Sequence, residues 1–499
     1  MLGNPGALDI DITGIGYDSR RVRPGEVFFA LAGQHADGRA FVAQALAAGA
    51  VAVVAGRATE PAAAPGPGVH APVVEVAEPR LALARAAARW HGHPSRALAV
   101  AGVTGTNGKT TTTWMLESIV RAAGRIAGVI GTTGYRIGAE MRPAPFTTPE
   151  APELQGLLRE MADRGVQSVA MEVSSHALVQ RRAYGVEFDA VVFTNLTQDH
   201  LDYHGTMDAY LDAKLMLFDG RNGTTSKRTT AVVNADDPAA PRVLSAARRG
   251  GHALLRVAVG GGPRPDLAVH VREVEPVPGG LALAIVTTGD GPGSRGGHEH
   301  RFTLPMMGRY NAANAAAAFG AARALGIDER AIVHGLASLA GVPGRLERVV
   351  AGQPFEVVVD YAHTPDALAR ALAACREHAR GRVLLVFGCG GERDRGKRPL
   401  MGRIAGEASD LAWVTNDNPR GEDPAAIAAE ITAGSPRPLP VLLDRRAAIA
   451  AALDAARPED IVLIAGKGHE TTQTLGKQVL PFDDRAVAAE LLAGRRAGR

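Results

Sequence analysis

The sequence predicts an α/β protein in three segments: a small α/β unit, a central unit around a phosphate-binding loop, and a Rossmann-like sheet. Three observations carry this. The 499 residues allow roughly three domains at about 100–200 residues each. Apolar runs of strand length alternate with helical patterns, the rhythm of parallel sheets with crossover helices. One stretch, Ala99-Val-Ala-Gly-Val-Thr-Gly-Thr-Asn-Gly-Lys-Thr-Thr-Thr-Thr113, passes from an apolar strand through a glycine-rich turn into a helix. Breaks at His91-Gly-His-Pro-Ser95 and Gly341-Val-Pro-Gly344 divide the chain into 1–96, 97–341 and 342–499.

In the first segment, Glu26–Leu31 and Ala50–Val54 read as strands and Gly38–Ala48 as the helix between them. Tyr17-Asp-Ser-Arg-Arg21 and Gly33-Gln-His-Ala-Asp-Gly38 are loops where polar groups can meet a ligand, and bland surface turns explain them equally well. Thr59–Pro72, rich in Ala, Pro and Gly, reads as a surface loop, and Arg80–His91 as a helix.

The glycine-rich turn of the second segment aims backbone N–H groups at an anion, and the helix start near Thr110 adds partial positive charge. Lys109 can reach β/γ-phosphates and the Thr110 hydroxyl can sit on Mg²⁺. The strict pattern requires Gly at position 103, where Val103 stands; the glycines fall at Gly102 and Gly105. Further on, Val166–Val173 is strand-like and ends in Glu172, a carboxylate where an open α/β sheet puts its ligand chemistry. Phe188–Thr194 delivers Asn195, Asp199 and His200 to the same edge, and the helix Met207–Phe218 carries Lys214. Hard oxygen ligands and an imidazole beside a phosphate site suit a Mg·ATP centre. Taken singly, Glu172 reads equally as a surface carboxylate and His200 as a capping residue. The pattern weakens from Gly260 to Arg301, with Gly289–Gly297 read as a hairpin tip. Helix returns at Arg309–Ala318, with Asn311 and Asn314 on one face.

The third segment alternates strands (Phe355–Asp360, Arg382–Phe387, Leu411–Thr415, Asp460–Ile464) with helices such as Asp366–His378 and Asp423–Ala433. No GxGxxG follows its first strand, so dinucleotide binding is not supported. Its strand-end loops carry Asp360, His363, Arg393, Asp417-Asn-Pro-Arg420 and Gly466-Lys-Gly-His-Glu470.

Composition narrows the class. A formal charge of +3 argues against nucleic-acid and membrane-surface partners. No apolar span reaches the ~20 residues of a membrane helix, and no signal peptide is evident. The two cysteines, Cys375 and Cys389, fit a reducing compartment, with Cys389 read as a core or loop thiol rather than a reactive one. A cytoplasmic monomer acting on small molecules is expected.

The combination Gly102-Val-Thr-Gly-Thr-Asn-Gly-Lys-Thr-Thr111, Met171-Glu-Val-Ser-Ser-His176, Thr194-Asn-Leu-Thr-Gln-Asp-His-Leu-Asp-Tyr-His204, Asp360-Tyr-Ala-His-Thr-Pro365 and Asp417-Asn-Pro-Arg420 spans all three segments and resembles the Mur ligases, most closely the MurE type. The resemblance implies the Mur three-domain arrangement: N-terminal UDP-substrate domain, central P-loop ATPase, C-terminal Rossmann-like domain. It implies that ATP drives addition of meso-diaminopimelate to UDP-N-acetylmuramoyl-L-alanyl-D-glutamate through an acyl phosphate, in cytoplasmic peptidoglycan precursor synthesis. It also implies roles. Gly105, Thr106, Asn107, Gly108, Lys109, Thr110, Thr111, Asn311, Arg345 and Asp360 would bind ATP. Thr110 and Glu172 would hold one Mg²⁺; Glu172, His200 and a carbamate formed from CO₂ on Lys214 would hold a second. Tyr17, Ser19, Gln34, His35 and Ala36 would meet the uridine end of the substrate, and Thr147, Thr148, Ser174, Gln180 and Arg182 its muramoyl-peptide end. Arg393, Asp417, Asn418, Pro419, Arg420, Gly466 and Glu470 would bind diaminopimelate. Phe146 stands where the family usually has Asn, which removes that side-chain contact or leaves it to backbone. The rival readings are an L-lysine-adding ligase of the same type, a folylpolyglutamate synthetase, and a P-loop switch without ligase chemistry. Asp417-Asn-Pro-Arg420 and the first segment argue against the synthetase. Phosphate release that needs both the UDP-sugar peptide and the amino acid would separate a ligase from a switch.

Overall fold

Uninterrupted apolar runs become the central strands of parallel sheets, buried on both faces. The computed structural model describes residues 10–33, 36–57, 71–262, 264, 266–288 and 297–497. Gln34, His35, most of the loop expected at Thr59–Pro72 and residues 289–296 of the glycine-rich stretch lie outside the described residues. The chain divides into two units: residues 1–109, 120–256 and 320–328 form the first, and residues 110–119, 257–319 and 329–499 the second.

The first unit begins with a four-stranded parallel sheet in the order Gly14–Gly16, Glu26–Ala30, Ala52–Gly56, Val73–Val76. The outer two strands are short and were not legible as apolar runs. The helix expected over Gly38–Ala48 is a 3-10 turn, Gly38–Phe41, followed by an α-helix, Val42–Ala47. Asp37 caps the turn by accepting from the Arg39 N–H, which tightens it. The helix Pro79–Trp90 starts with proline, which has no N–H to leave unpaired. It stops where Gly92 and His93 take positive φ.

The larger sheet of this unit runs Thr230–Asn234, Ala190–Phe193, Ala99–Thr104, Ser168–Glu172, Ala127–Gly131, all parallel, and then two short antiparallel strands, Gly134–Ile137 and Glu140–Arg142. The phosphate-loop strand is central and buried through Val100, Ala101 and Val103. Gly102 is required there, since a Cβ would stand 2.6 Å from the Phe188 ring. The central position places the ends of Ala99–Thr104, Ser168–Glu172 and Ala190–Phe193 side by side.

In the second unit the stretch with the weak pattern forms antiparallel strands, Val269–Val277, Gly280–Thr287 and His298–Leu304, with a register shift between Val271 and Glu273. Their half-exposed faces carry charged residues, which hid them from a search for apolar runs. Thr287 pairs with His298 at the ends of the last two strands. The other sheet of the unit runs Glu347–Arg348, Glu356–Asp360, Ile461–Ala465, Val383–Phe387, Leu411–Val414, parallel except for the first pair. Side-chain caps start three of its helices: Thr364 for Pro365–His378, Asp423 for Pro424–Ala433 and Asp444 for Arg445–Ala455. A hairpin, Thr472–Leu475 with Gln478–Pro481, follows the last parallel strand. Among the described residues no helix is long and apolar enough to cross a membrane.

Candidate active site

The phosphate loop is held open by glycines and braced by the neighbouring strand end. Gly105 and Gly108 have φ of 149° and 87°, and a Cβ on Gly105 would meet the Thr194 hydroxyl at 1.9 Å. The Asn107 N–H donates to Asn195 Oδ1 (2.9 Å), the Thr106 N–H to the Asn195 carbonyl (2.9 Å), and the Thr194 hydroxyl to the Asn107 carbonyl (2.6 Å). Asn195 thus acts as a clamp on the loop. Lys109 Nζ donates to the carbonyls of Gly105 (2.9 Å) and Thr106 (2.8 Å). Lys214, on the helix Met207–Leu215, is buried and donates to the same Gly105 carbonyl at 2.9 Å while lying 4.2 Å over the Tyr210 ring. Burial, and then the charge of Lys109, push the Lys214 amine well below the usual lysine range. One carbonyl thus holds the Lys109 ammonium and, beside it, an amine that burial disfavours protonating.

Glu172 ends its strand fully buried. It accepts from the Thr132 N–H (2.9 Å) and the Thr132 hydroxyl (3.2 Å). A Cβ on Gly131 would lie 2.4 Å from its Oε1, so glycine makes room for the carboxylate. From here a hydrogen-bonded chain gathers the expected muramoyl-peptide residues. Thr147 Oγ1 lies 3.0 Å from Thr132 Oγ1, and the Thr148 hydroxyl donates to the Glu172 carbonyl (2.9 Å) and accepts from the Ser174 N–H (3.2 Å). Arg182 donates to the Thr148 carbonyl (3.1 Å) and to Gln180 Oε1 (2.6 Å), and Gln180 donates to the Tyr203 hydroxyl (3.3 Å). The residues expected at the uridine end have other partners: Tyr17 donates to Glu153 (2.8 Å), Ser19 to Gln44 (3.0 Å), and the Ala36 carbonyl accepts from Gly33 (2.9 Å).

His200 takes a left-handed φ of 53° before the short helix Leu201–His204. Its ring lies edge-on to His176 at 4.9 Å and to Tyr210 at 6.0 Å. His204 completes this cluster, 5.4 Å from His176, with Nε2 2.9 Å from the Ser175 hydroxyl. Burial lowers all three imidazoles, His176 to about 4. The sequence reading gave His176 and His204 no role; both stand in the motifs quoted above, which was the available signal. Among the described residues no three His, Cys, Asp or Glu side chains converge tightly enough to hold a metal. The expected set differs in kind: a threonine hydroxyl, the buried Glu172 carboxylate, a neutral imidazole and a modified lysine. Those are donors a hard cation accepts.

In the second unit Arg345 donates to the Thr110 hydroxyl (3.3 Å) and lies 5.1 Å over the Tyr361 ring. Asp360 accepts from the N–H groups of Leu346 (2.7 Å) and Ala362 (2.8 Å). Burial still raises its carboxyl, against the pull of Arg345 and those donors. Asn311 donates to the Met307 carbonyl (2.7 Å) and accepts from Asn314 (2.9 Å), so the two asparagines on one face form a pair.

The loops expected to bind the amino acid meet around a residue that sequence reasoning passed over. Lys467 is fully buried, with Nζ 3.1 Å from Glu470 Oε2, 3.3 Å from Asn418 Oδ1 and 3.8 Å from Asp417 Oδ1. Asn418 also donates to Glu470 (2.9 Å). Gly466, at φ 119°, sits against the Asp417 carboxyl. Burial raises the Asp417 carboxyl although Arg445 and Lys467 lower it, and its Oδ1 is buried without a hydrogen bond. Arg420, at φ 52°, donates to the Gly391 carbonyl (2.6 Å). A Cβ on Gly391 would lie 1.9 Å from the Pro419 carbonyl, so the two loops close only over glycine. Arg393 reaches the Glu392 carbonyl at 3.5 Å. Beneath them Arg445, paired with Asp484 (2.6 and 2.8 Å), donates to the carbonyls of Asn416 (3.2 Å) and Ala465 (3.1 Å), tying both strand ends together. Lys467 was legible as a lysine between two glycines at a strand end. Nothing local marked Arg445, whose partner lies on another helix. Cys389 is buried and its thiol is pushed up to about 12, so the non-reactive reading stands.

Three family descriptions match the chain: Mur ligase family, catalytic domain, over 11–91; Mur ligase middle domain, over 103–322; and Mur ligase, glutamate ligase domain, over 344–468. Two similar proteins are named UDP-N-acetylmuramoyl-L-alanyl-D-glutamate–2,6-diaminopimelate ligase. The one from Solibacter usitatus is 44% identical, covering 98% of this chain and 95% of its own. The one from Gloeobacter violaceus is 45% identical with the same coverages. A solved structure of a ligase with that name aligns at a TM-score of 0.68 and 32% identity, over 98% of this chain and 97% of its own. Folylpolyglutamate synthase from Mycobacterium tuberculosis, solved with ADP and AMPPCP, shares the fold at a TM-score of 0.60 and 20% identity, over 84% of this chain and 95% of its own.

Proposed function

The chain belongs to the Mur ligase family, and on that premise we propose how its residues perform the ligation. It is an ATP-dependent amide ligase that adds 2,6-diaminopimelate to UDP-N-acetylmuramoyl-L-alanyl-D-glutamate in peptidoglycan synthesis. The observation that carries this is identity of 44–45% across 98% of the chain to ligases of that name. We take the amino acid to be the meso isomer. The three-domain division at 96/97 and 341/342 is supported by the gaps between matched segments, 91 to 103 and 322 to 344.

A carboxylate is a poor acyl donor, so an oxygen of the D-Glu γ-carboxylate attacks the γ-phosphorus of ATP and ADP leaves. The amine of diaminopimelate then attacks the acyl carbon, phosphate leaves from the tetrahedral intermediate, and the nitrogen loses its proton to give the amide. Lys109 offsets the charge gathered between two anions, and the loop N–H groups from Gly105 to Thr111 cradle the phosphates. Arg345, Asp360 and Asn311 hold the nucleotide beside Thr110. Thr147, Thr148, Ser174, Gln180 and Arg182 hold the peptide end of the UDP-substrate, and Tyr17, Ser19, Gln34, His35 and Ala36 its uridine end. Arg393, Asp417, Asn418, Pro419, Arg420, Gly466 and Glu470 orient diaminopimelate, with Arg420 meeting the distal carboxylate through its planar fork. Thr110, Glu172, His200 and Lys214 would hold Mg²⁺, which when bound would neutralise phosphate charge. For Lys214 this requires that its nitrogen bond to the carbon of CO₂ and lose a proton, becoming an anionic carbamate. A buried amine beside a second lysine gains from that change of sign. The free thiols Cys375 and Cys389 support a cytoplasmic site of action.

The deciding experiment is release of phosphate from ATP by the purified protein. It should require both UDP-N-acetylmuramoyl-L-alanyl-D-glutamate and meso-diaminopimelate, with the tripeptide product identified by mass. Phosphate release without either substrate would replace the ligase reading with that of an ATPase switch.

A further inference from the structure

Phe146 precedes the Thr147–Thr148 pair and is half exposed, so core packing does not account for it. Its backbone is pinned, because its carbonyl accepts from the Tyr135 hydroxyl at 2.7 Å. Its ring lies 4.9 Å from the Arg182 guanidinium, face to cation. Arg182 is otherwise held at its edges. It donates to the Thr148 carbonyl (3.1 Å) and to Gln180 (2.6 Å), and its Nε faces Glu150 Oε1 at 3.0 Å. Glu150 is itself fixed by Arg80 at 3.2 Å. Edge contacts fix where a guanidinium sits within its plane, and an aromatic face fixes the tilt of that plane. A guanidinium carries five N–H donors, and the two hydrogen bonds above leave N–H groups for a ligand.

We propose that Phe146 is a positioning residue: its ring sets the plane of Arg182 so that the remaining N–H groups meet the peptide end of the UDP-substrate. This rests on the ligase reading above. An isolated exposed aromatic is commonplace on protein surfaces. This one differs because a cation of the expected binding site lies on its face while a hydrogen bond holds its carbonyl. A stacked cation at a partly exposed site contributes about two- to fivefold in affinity. The effect belongs to one substrate only, since Arg393, Arg420 and the phosphate loop are held by other residues.

The test is direct titration of UDP-N-acetylmuramoyl-L-alanyl-D-glutamate into the full-length protein by calorimetry, with KM values measured alongside. Phe146→Leu keeps apolar bulk and removes the π face; Phe146→Tyr keeps the face. The expected result is a Kd for the UDP-substrate about two- to fivefold weaker in Phe146→Leu, near wild type in Phe146→Tyr, with KM for ATP and diaminopimelate unchanged. In an Arg182→Met background, Phe146→Leu should add nothing. Equal Kd for wild type and Phe146→Leu would overturn the inference alone, as would equal weakening in Leu and Tyr variants or full additivity with Arg182→Met. Absence of binding by the wild type would overturn the ligase reading, and this inference with it, before any variant is compared. If thermal melting shows Phe146→Leu to be unfolded, Phe146→Met, which also removes the π face, takes its place alone and in the Arg182→Met background, with the same expected and overturning results.

Discussion

Lys214, beside the phosphate loop, donates to the Gly105 carbonyl and lies over the Tyr210 ring, whereas Lys467, among the amino-acid loops, faces Glu470, Asn418 and Asp417. Both side chains are removed from water. A carbonyl dipole and a ring face soften a buried charge without cancelling it, while carboxylates cancel it. The Lys214 amine is therefore pushed toward its neutral form, whereas the loops around Lys467 keep cation and carboxylates side by side, which suits a zwitterion that presents ammonium and carboxylate together. The two buried lysines differ in what they face, a carbonyl and a ring in one case and carboxylates in the other.

The largest effect should come from removing the cation on the loop itself. Lys109→Ala is expected to lower ligation on the order of 10³-fold while far-UV spectra and melting stay as in wild type. The side chain touches carbonyls of its own loop and removes no core volume. Full activity in the purified variant would break the comparison at its first term.

Lys214→Ala should be nearly as damaging, with a different signature. Small carboxylates such as acetate or formate should restore part of the activity, because they can replace the anionic end of a carbamate. In the wild type, ¹³C-enriched CO₂ should give a carbamate resonance that disappears in the variant. An unmodified Lys214 in the active protein would end that assignment.

Arg420→Ala bears on the second pocket. Loss of the partner for a desolvated carboxylate costs about 2–5 kcal/mol, so KM for meso-diaminopimelate should rise far more than KM for the UDP-substrate. L-lysine, which lacks that carboxylate, should be a poor substrate for the wild type. Comparable kcat/KM for the two amino acids would make Arg420 part of a structural turn.

The contrast between the pockets was only half legible in the sequence. The phosphate loop announced itself because strand, glycines, Lys109 and helix are contiguous, and the parallel strands announced themselves as apolar runs. The antiparallel strands Val269–Val277 and His298–Leu304 did not, since one face is solvated and charged. Asn195 was placed at the correct sheet edge, but its work on Asn107 depends on strand pairing that no local pattern reports. Lys467 and Arg445 acquire meaning only from partners on other loops and helices, brought near by the order of the parallel strands. Contiguous chemistry is readable along a chain; neutralisation across a fold is not.

Asp417 offers the smallest and most pointed test. Burial raises its carboxyl above the ordinary 3.8 in the folded protein, with Arg445 and Lys467 opposing. A carboxylate raised on folding favours the protonated form, so its ionisation destabilises the fold. That penalty is absent below about 3.8, where folded and unfolded chains are both protonated, and complete above the raised value. Above that raised value the protein carries an ionised Asp417 at a cost in stability, and a diaminopimelate ammonium would offset it. Asp417→Asn keeps the shape and removes the charge. It should weaken diaminopimelate binding and, at pH 7, raise Tm by about 2–4 °C, the size of a 1 kcal/mol change in a domain of this class. The gain should shrink as pH falls toward 4, and saturating diaminopimelate should raise Tm more in wild type than in the variant. Glu470 still faces Lys467 in Asp417→Asn, so that lysine is not stranded. A variant that melts lower than wild type at pH 7 would mean that Lys467 needs both carboxylates, and the second pocket would then be balanced for stability rather than held ready for its ligand.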